Sequence, residues 1–243
     1  SRLPDKVMLP LEDKTVIEHV VDRVGQCREV DDVVVATSIQ ENNLPLIEIC
    51  AKRGFRVFVG SEADVLDRFY QAARLLQPET VVRITADCPL IDPGIVDAVI
   101  ESHRDSGADY TSNCQVPTFP DGYDAEVFTF ESLSKAWKFS TLASQREHVT
   151  PYITDTKDEF TLNLYTHSSD LSHIRLTLDE KEDFALIKKV FSHLYPADPY
   201  FGLEEVTILL EKRPELIQIN QHIGRNEGYE DSLKKDREAA DSE

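Results

Sequence analysis

Basic residues are scarce in this chain. Its 243 residues carry 26 Lys and Arg against 45 Asp and Glu, a formal charge of −19. That balance argues against a nucleic-acid backbone or an anionic membrane as partner. It leaves room for a small nucleotide, which a metal and a few local cations can hold inside an acidic protein. Long apolar runs are also missing, with none near the roughly 18 residues that a spanning helix needs, and there is no signal-peptide pattern. The chain therefore reads as soluble and cytoplasmic. Cysteine is sparse: Cys27, Cys50, Cys88 and Cys114 are widely spaced and lack metal-ligand spacing. Reduced, partly buried thiols are expected. No nucleophile elbow with a Ser-His-Asp order, no zinc spacing, no Gly-rich dinucleotide fingerprint and no Walker A loop can be found.

What is present is α/β alternation. The length suits one large domain with a good core, and the chain has no internal repeat or linker. A single domain over 1–243 is expected, with a polar tail from about residue 224 that should fray. Thr15 to Cys27 has apolar residues at helical spacing. Asp32 to Thr37 reads as a buried strand, Leu44 to Arg53 as a helix ended by Gly54, and Arg56 to Val59 as a short strand. A helix with Val65, Leu66, Phe69 and Ala72 on its apolar face follows Gly60-Ser61-Glu62. The stretch VVRITADCPLIDP, Val81 to Pro93, then reads as a buried strand that stops at an acid. Asp87 sits where the strand should run out, and Pro89 and Pro93 prevent its continuation. Such spacing predicts a parallel sheet with right-handed crossovers. After Asp109 the pattern shortens, and Phe160 to Thr166 and His173 to Leu178 alternate as paired strands do.

In open parallel sheets ligands bind beyond the carboxyl ends of the strands, and the chemistry-bearing residues gather there. Arg2 and Lys6 are cations in a Pro-containing turn, suited to a polyphosphate. Thr37, Ser38, Gly60 and Ser61 supply small polar groups and backbone donors. Asp87 is a strand-end acid. Asp121, Asp124 and Glu126 lie within six residues of one another. Asp179 ends a second alternating stretch. Each has a structural reading too: Asp179 as a cap of the next helix, the Asp121 loop as a solvated turn, Arg146 and His148 as helix-surface and packing residues. Together, two strand-end acids and a basic loop suit metal-assisted nucleotidyl transfer.

The motifs carry a family resemblance. RLPDK (Arg2 to Lys6), GSEADVLDRFYQAA (Gly60 to Ala73), VVRITADCPLIDP, DYTSN (Asp109 to Asn113), FPDGYDAEVF (Phe119 to Phe128), REHVTPYI (Arg146 to Ile153), RLTLDEKEDF (Arg175 to Phe184) and RNEGYEDSL (Arg225 to Leu233) occur in order. In this the chain resembles cytidylyltransferases of the SpsF spore-coat-polysaccharide type, relatives of the CMP-Kdo and CMP-sialate synthetases. The resemblance implies a GT-A-like three-layer α/β/α nucleotidyltransferase fold with a mixed, mostly parallel sheet. It implies CTP as donor, Mg2+ as cofactor, a sugar, sugar-acid, phosphate or phosphonate acceptor, and a homodimer. Carried over, Arg2 and Lys6 contact the triphosphate, and Asp87 and Asp179 bind magnesium. Thr37, Ser38, Gly60 and Ser61 border the nucleotide, and Asp121, Asp124, Glu126, Arg146 and His148 face the acceptor or support its pocket.

Two departures follow. The family's Gly in RLPGK is Asp5 here, which adds a like charge near a triphosphate and a side chain where backbone freedom is usual. The first strand of the family pattern is absent from the chain as given, so roughly 10 to 15 residues, a strand and its turn, are expected upstream in the native gene. A GT-A glycosyltransferase and a non-catalytic nucleotide-binding protein are the alternatives. The Asp-x-Asp usual in the first is not visible, since Cys88 and Pro89 follow Asp87.

Overall fold

The computed structural model describes residues 3–156 and 158–240. A single 3-10 turn at Lys6–Met8 leads into a small antiparallel hairpin, β1 (Pro10–Leu11) and β2 (Lys14–Thr15). Helix α1 (Val16–Val24) starts there because Thr15 and Glu18 form a capping box. Strand β3 (Val34–Ser38), helix α2 (Leu44–Arg53) and strand β4 (Arg56–Gly60) form a parallel βαβ unit, with Gly54 ending α2 at φ 71°. Asp64 caps α3 (Val65–Leu76), which leads to β5 (Thr80–Arg83). Asp92 caps α4 (Pro93–Ser106). The second half holds β6 (Tyr110–Ser112), β7 (Glu126–Thr129), α5 (Phe130–Phe139), α6 (Ala143–His148), α7 (Pro151–Asp155) and β8 (Leu162–Leu164). It closes with α8 (Lys181–Leu194), α9 (Leu203–Lys212) and α10 (Glu227–Ala240).

Among the described residues β3 and β4 pair with each other, while the larger sheet has the order β5-β7-β6-β8. Its neighbours β5–β7 and β7–β6 are antiparallel and β6–β8 is parallel. The sheet is thus mixed. The Val81 strand has an antiparallel neighbour because β7 returns through the loop at 113–125, without the helical crossover that a parallel partner needs.

Successive residues of β7 point to opposite faces, and that fixes the layers. Val127 joins Val20, Val24, Val96 and Val99 from α1 and α4. Phe128 joins Leu66, Leu133, Ala136 and Ile153 from α3, α5 and α7. Helices therefore cover both faces, the α/β/α arrangement expected. Full burial of Phe128 alone is worth roughly 1.5–3 kcal/mol. A third cluster packs α8 and α9 onto Leu176 and Leu178. No helix among the described residues is long and apolar enough to cross a membrane.

Two expectations fail. Residues 173–178 form no ladder. Leu176 N–H donates to the Asp121 carbonyl and Leu178 N–H to the Asp87 carbonyl, while the Arg175 carbonyl accepts from the Asn220 side chain. The backbone is divided among three partners and keeps only an isolated bridge, Asp121 with Arg175. The polar tail is not frayed over 227–240 either. Those residues form α10, which seats on α6 through polar contacts: Ser232 meets His148 Nε2 at 3.0 Å, and Ser144 N–H donates to Asp236 at 3.3 Å.

Candidate active site

Two loops, one after β5 and one leading into α8, carry the acids together. Asp87 follows β5, and Leu178 N–H donates to the Asp87 carbonyl at 2.9 Å, which locks its loop against the segment carrying Asp179. Both carboxylates then reach one cation. Lys6 Nζ donates to Asp87 Oδ2 at 2.6 Å and to Asp179 Oδ1 at 2.8 Å. Burial alone would lower the pKa of this ammonium, but the two carboxylates overcome it and raise it above its ordinary value. Burial pushes Asp179 up, and Lys6 and Arg175 more than reverse it, holding the carboxyl below its usual range. Lys6 is set by its neighbour: Asp5 takes the left-handed conformation at φ 53°, the region that a Gly fills most easily.

Arg175 is the second hub. Its guanidinium donates to Asp179 Oδ2 and Asp121 Oδ2 at 2.8 Å, to both oxygens of Asp183 at 3.0 Å, and to the Gly224 carbonyl at 3.2 Å. Asp183 has no solvent exposure. It also accepts from the backbone N–H groups of Asp179 and Glu180 and from Asn220, so its charge is fully bonded. The result orients Asp179: one oxygen faces Lys6 and the other is held by Arg175.

The acid-rich loop reaches this hub through Gly122, at φ 106°. A Cβ there would lie 2.6 Å from the Leu176 carbonyl carbon and 2.7 Å from Thr177 N, so only glycine permits the approach. Asn113, buried, brackets the loop by donating to the Tyr123 carbonyl and accepting from Ala125 N–H. Asp121 pairs with Arg175, and Asp124 with Arg225 Nη2 at 2.6 Å. Burial pushes Asp121 above the usual carboxylate range against the pull of Arg225 and Arg175. It pushes Asp124 up to about 7 against Arg225.

The other expected residues fall elsewhere. Thr37–Ser38 and Val59–Gly60 are in register at the carboxyl ends of β3 and β4, so Thr37, Ser38, Gly60 and Ser61 form one polar rim. Ser38 Oγ accepts from Asn43, and Ser61 Oγ from Asp64 N–H. Glu126 is buried and bonded by Arg83, Tyr110 and Thr150. Arg146 pairs with the Asp64 cap of α3 and donates to the Trp137 carbonyl. His148 bonds Ser232, and burial lowers its pKa. These contacts join Lys6, Asp87, Asp179 and Asp121 to one another and Asp124 to their edge through Arg225. Glu126, Arg146 and His148 have their described partners in other networks. Arg2 lies outside the described residues. Asp183 was visible only as an acid opening the helix after Asp179, and Arg175 and Arg225 are the residues that sequence reasoning did not single out. Their only signal was membership of the RLTLDEKEDF and RNEGYEDSL motifs.

Among the described residues no group of three or more His, Cys, Asp or Glu side chains is placed to hold a metal ion. The Asp87–Asp179 pair nonetheless fits Mg2+. It offers two hard carboxylates converging on one cationic point, and magnesium typically takes one or two carboxylates, with waters and substrate phosphates completing its shell.

A family model described as Cytidylyltransferase matches residues 1–219. An uncharacterized protein of Methanocaldococcus jannaschii is 36% identical over 231 residues, covering 94% of this chain and 93% of its own length. The spore coat polysaccharide biosynthesis protein SpsF of Bacillus subtilis is 34% identical over 222 residues, covering 88% of this chain and 91% of its own. A solved cytidylyltransferase from Leptospira borgpetersenii superposes with a TM-score of 0.85 at 32% identity, covering 90% of this chain and 92% of that one.

Proposed function

The chain belongs to the cytidylyltransferase family of CTP-dependent nucleotidyltransferases, and from that premise we propose that it joins the CMP moiety of CTP to a sugar or sugar-acid acceptor with Mg2+ bound at Asp87 and Asp179. The observation that carries the reading is the meeting of these two distant carboxylates at a single ammonium. In the reaction an acceptor oxygen attacks the α-phosphorus of CTP in line. A new P–O bond forms, the bond to the β-phosphate oxygen breaks, and pyrophosphate leaves with the electron pair. When bound, the metal supplies charge neutralisation for the triphosphate and the departing pyrophosphate.

The chain's own residues position and screen charge. Arg175 fixes the rotamer of Asp179 and holds Asp121 beside it, opposing the rise that burial imposes on that carboxyl. Lys6 offers a mobile positive charge to the phosphates. The rim at Thr37, Ser38, Gly60 and Ser61 offers backbone groups to the nucleotide at the strand ends, where such ligands bind. Asp121 and Asp124 present carboxylate oxygens to acceptor hydroxyls, and Asp124, half-buried and held by Arg225, is the one that can take up a proton near neutral pH. The working form in this reading is a homodimer, as the resemblance to SpsF-type relatives implies, and its place the cytoplasm.

The test is pyrophosphate release from CTP against pooled sugars, sugar acids, sugar phosphates and phosphonates, with Mg2+ and then with EDTA. Release with one pool, lost in EDTA and cut about 10²-fold or more by Asp87→Asn, is expected. Turnover of Asp87→Asn within twofold of the parent would remove Asp87 from the mechanism. Transfer from a ready-made nucleotide-sugar without pyrophosphate would replace the reading with glycosyl transfer.

A further inference from the structure

Lys6 occupies the point where a bridging divalent ion would sit. Its ammonium nitrogen lies 2.6 Å from Asp87 Oδ2 and 2.8 Å from Asp179 Oδ1. A magnesium ion takes the same kind of oxygens at about 2.0–2.1 Å, so the two cations cannot share them. We infer that Lys6 is a placeholder: it excludes the divalent ion from the nucleotide-free protein and yields the carboxylate pair only when a triphosphate arrives to receive its ammonium. This rests on the reading above that Asp87 and Asp179 form the metal site.

The exchange is governed by electrostatics. Two carboxylates this close repel unless a cation lies between them. Lys6 supplies that cation and keeps both carboxylates turned to one point, as a bridging metal ion would need them. A bare metal ion entering alone must break two charge-assisted hydrogen bonds and leave an ammonium beside a divalent charge. A metal arriving with a triphosphate brings the acceptor oxygens to which the ammonium can move. Lysine suits this exchange better than arginine, because it is a point charge on a flexible stem. Its backbone is anchored meanwhile: Met8 N–H donates to the Asp5 carbonyl and Leu9 N–H to the Lys6 carbonyl. Arg175, by contrast, is forked onto Asp183 and stays, so Asp179 keeps its orientation when Lys6 leaves. Metal and nucleotide binding are then coupled, and by linkage each strengthens the other equally.

The experiment titrates the nucleotide-free full chain with Mn2+ alone, reading free Mn2+ by electron paramagnetic resonance and folding by circular dichroism. The proteins are the parent, Lys6→Met, Lys6→Gln as a second variant in case the first does not fold, and Lys6→Met/Asp87→Asn. Removing the ammonium is expected to tighten Mn2+ binding by about tenfold or more, inside the usual range of coupling factors. The added Asp87→Asn should abolish the gain. Parent and Lys6 variants binding Mn2+ equally would overturn the placeholder while leaving the pair as a metal site. Folded Lys6 variants binding no Mn2+ would overturn both.

Discussion

Arg175→Met should be the most damaging single change near the site, and its cost should depend on pH. The guanidinium is 7% exposed and makes five hydrogen bonds, four of them to carboxylates of Asp121, Asp179 and Asp183. Methionine fills the space and leaves three acids facing one another. Asp183 would keep its bonds from Asp179 N–H, Glu180 N–H and Asn220, and Asp179 its bond from Lys6. Among the described residues Asp121 would keep only a distant Arg225, at 3.9 Å. Breaking a buried ion pair from one side costs about 3–5 kcal/mol, and that is the loss expected in urea unfolding at pH 8. At roughly 2–4 °C per kcal/mol for a chain of this size, the midpoint should fall by about 6–20 °C. The sign with pH is fixed by the shifts. In the parent, Lys6 and Arg175 hold Asp179, and Arg175 with Asn220 holds Asp183, below the usual carboxylate range against burial. The stability this gives is present above the unfolded pKa of about 3.9 and is lost as pH falls through the folded values. In the variant Asp121, which burial already pushes above the usual carboxylate range, loses its Arg175 partner and takes up a proton more readily when folded than when unfolded, so stability rises as pH falls from 7 toward about 4.5. The gap between the two proteins must therefore narrow in acid. Arg175→Lys keeps the charge but not the fork onto Asp183, and should recover only part of the loss. A gap below about 1 kcal/mol at pH 8, or one that is constant between pH 5 and 8, would refute the reasoning.

Two further outcomes test the loop that faces this hub. Gly122→Ala combines a positive φ with a Cβ under 3 Å from the Leu176 and Thr177 backbone. It should cost roughly 1–3 kcal/mol or more in unfolding, as overpacking does, and should raise the KM for the acceptor more than that for CTP; an unchanged unfolding midpoint would show that the loop has room to move. Asp124 is pushed up to about 7 by burial, against Arg225. Its folded form holds a proton that the unfolded chain has shed, so its contribution to stability falls as pH rises from about 4 to 7. Measured from pH 4.5 to 7.5, the stability of the parent relative to Asp124→Asn should decline by about 1.4 kcal/mol for each pKa unit of elevation. Parallel curves would place Asp124 at an ordinary pKa.

Much of the architecture was legible because it is local. Thr15 with Glu18, Asp64 and Asp92 cap the helices where the sequence breaks into them, and Gly54 ends one. The β-branched runs at Val34–Ser38 and Thr80–Arg83 became strands. What escaped is set by tertiary contacts that leave no periodic trace. Residues 173–178 alternate like a strand, yet their backbone bonds are shared with Asp87, Asp121 and Asn220. The segment 227–240 lacks an apolar stripe, so it reads as a tail; its seat on α6 is made by Ser232, Tyr229 and Asp236.

The acid-rich motif shows the same limit inside the site. Asp121, Asp124 and Glu126 look equivalent in sequence, but the chain enters β7 between the second and the third. From there the pleat puts Glu126 on the same face as Phe128, where Tyr110, Thr150 and Arg83 satisfy it. Asp121 and Asp124 precede the strand, where no pleat turns them into that network, and meet Arg175 and Arg225 instead. Each acid near the hub is thus matched to a cation whose freedom differs. Arg175 is forked and fixed, Arg225 is tied to the Phe119 carbonyl as well as to Asp124, and of these three cations Lys6 is the one on a flexible stem. In a chain of charge −19, Lys6 and Arg175 stand where carboxylates would otherwise repel. On the reading proposed above, the one that can leave stands on the two acids that would receive the metal, so the exchange of Lys6 for the ion would be built into which cation guards which acid.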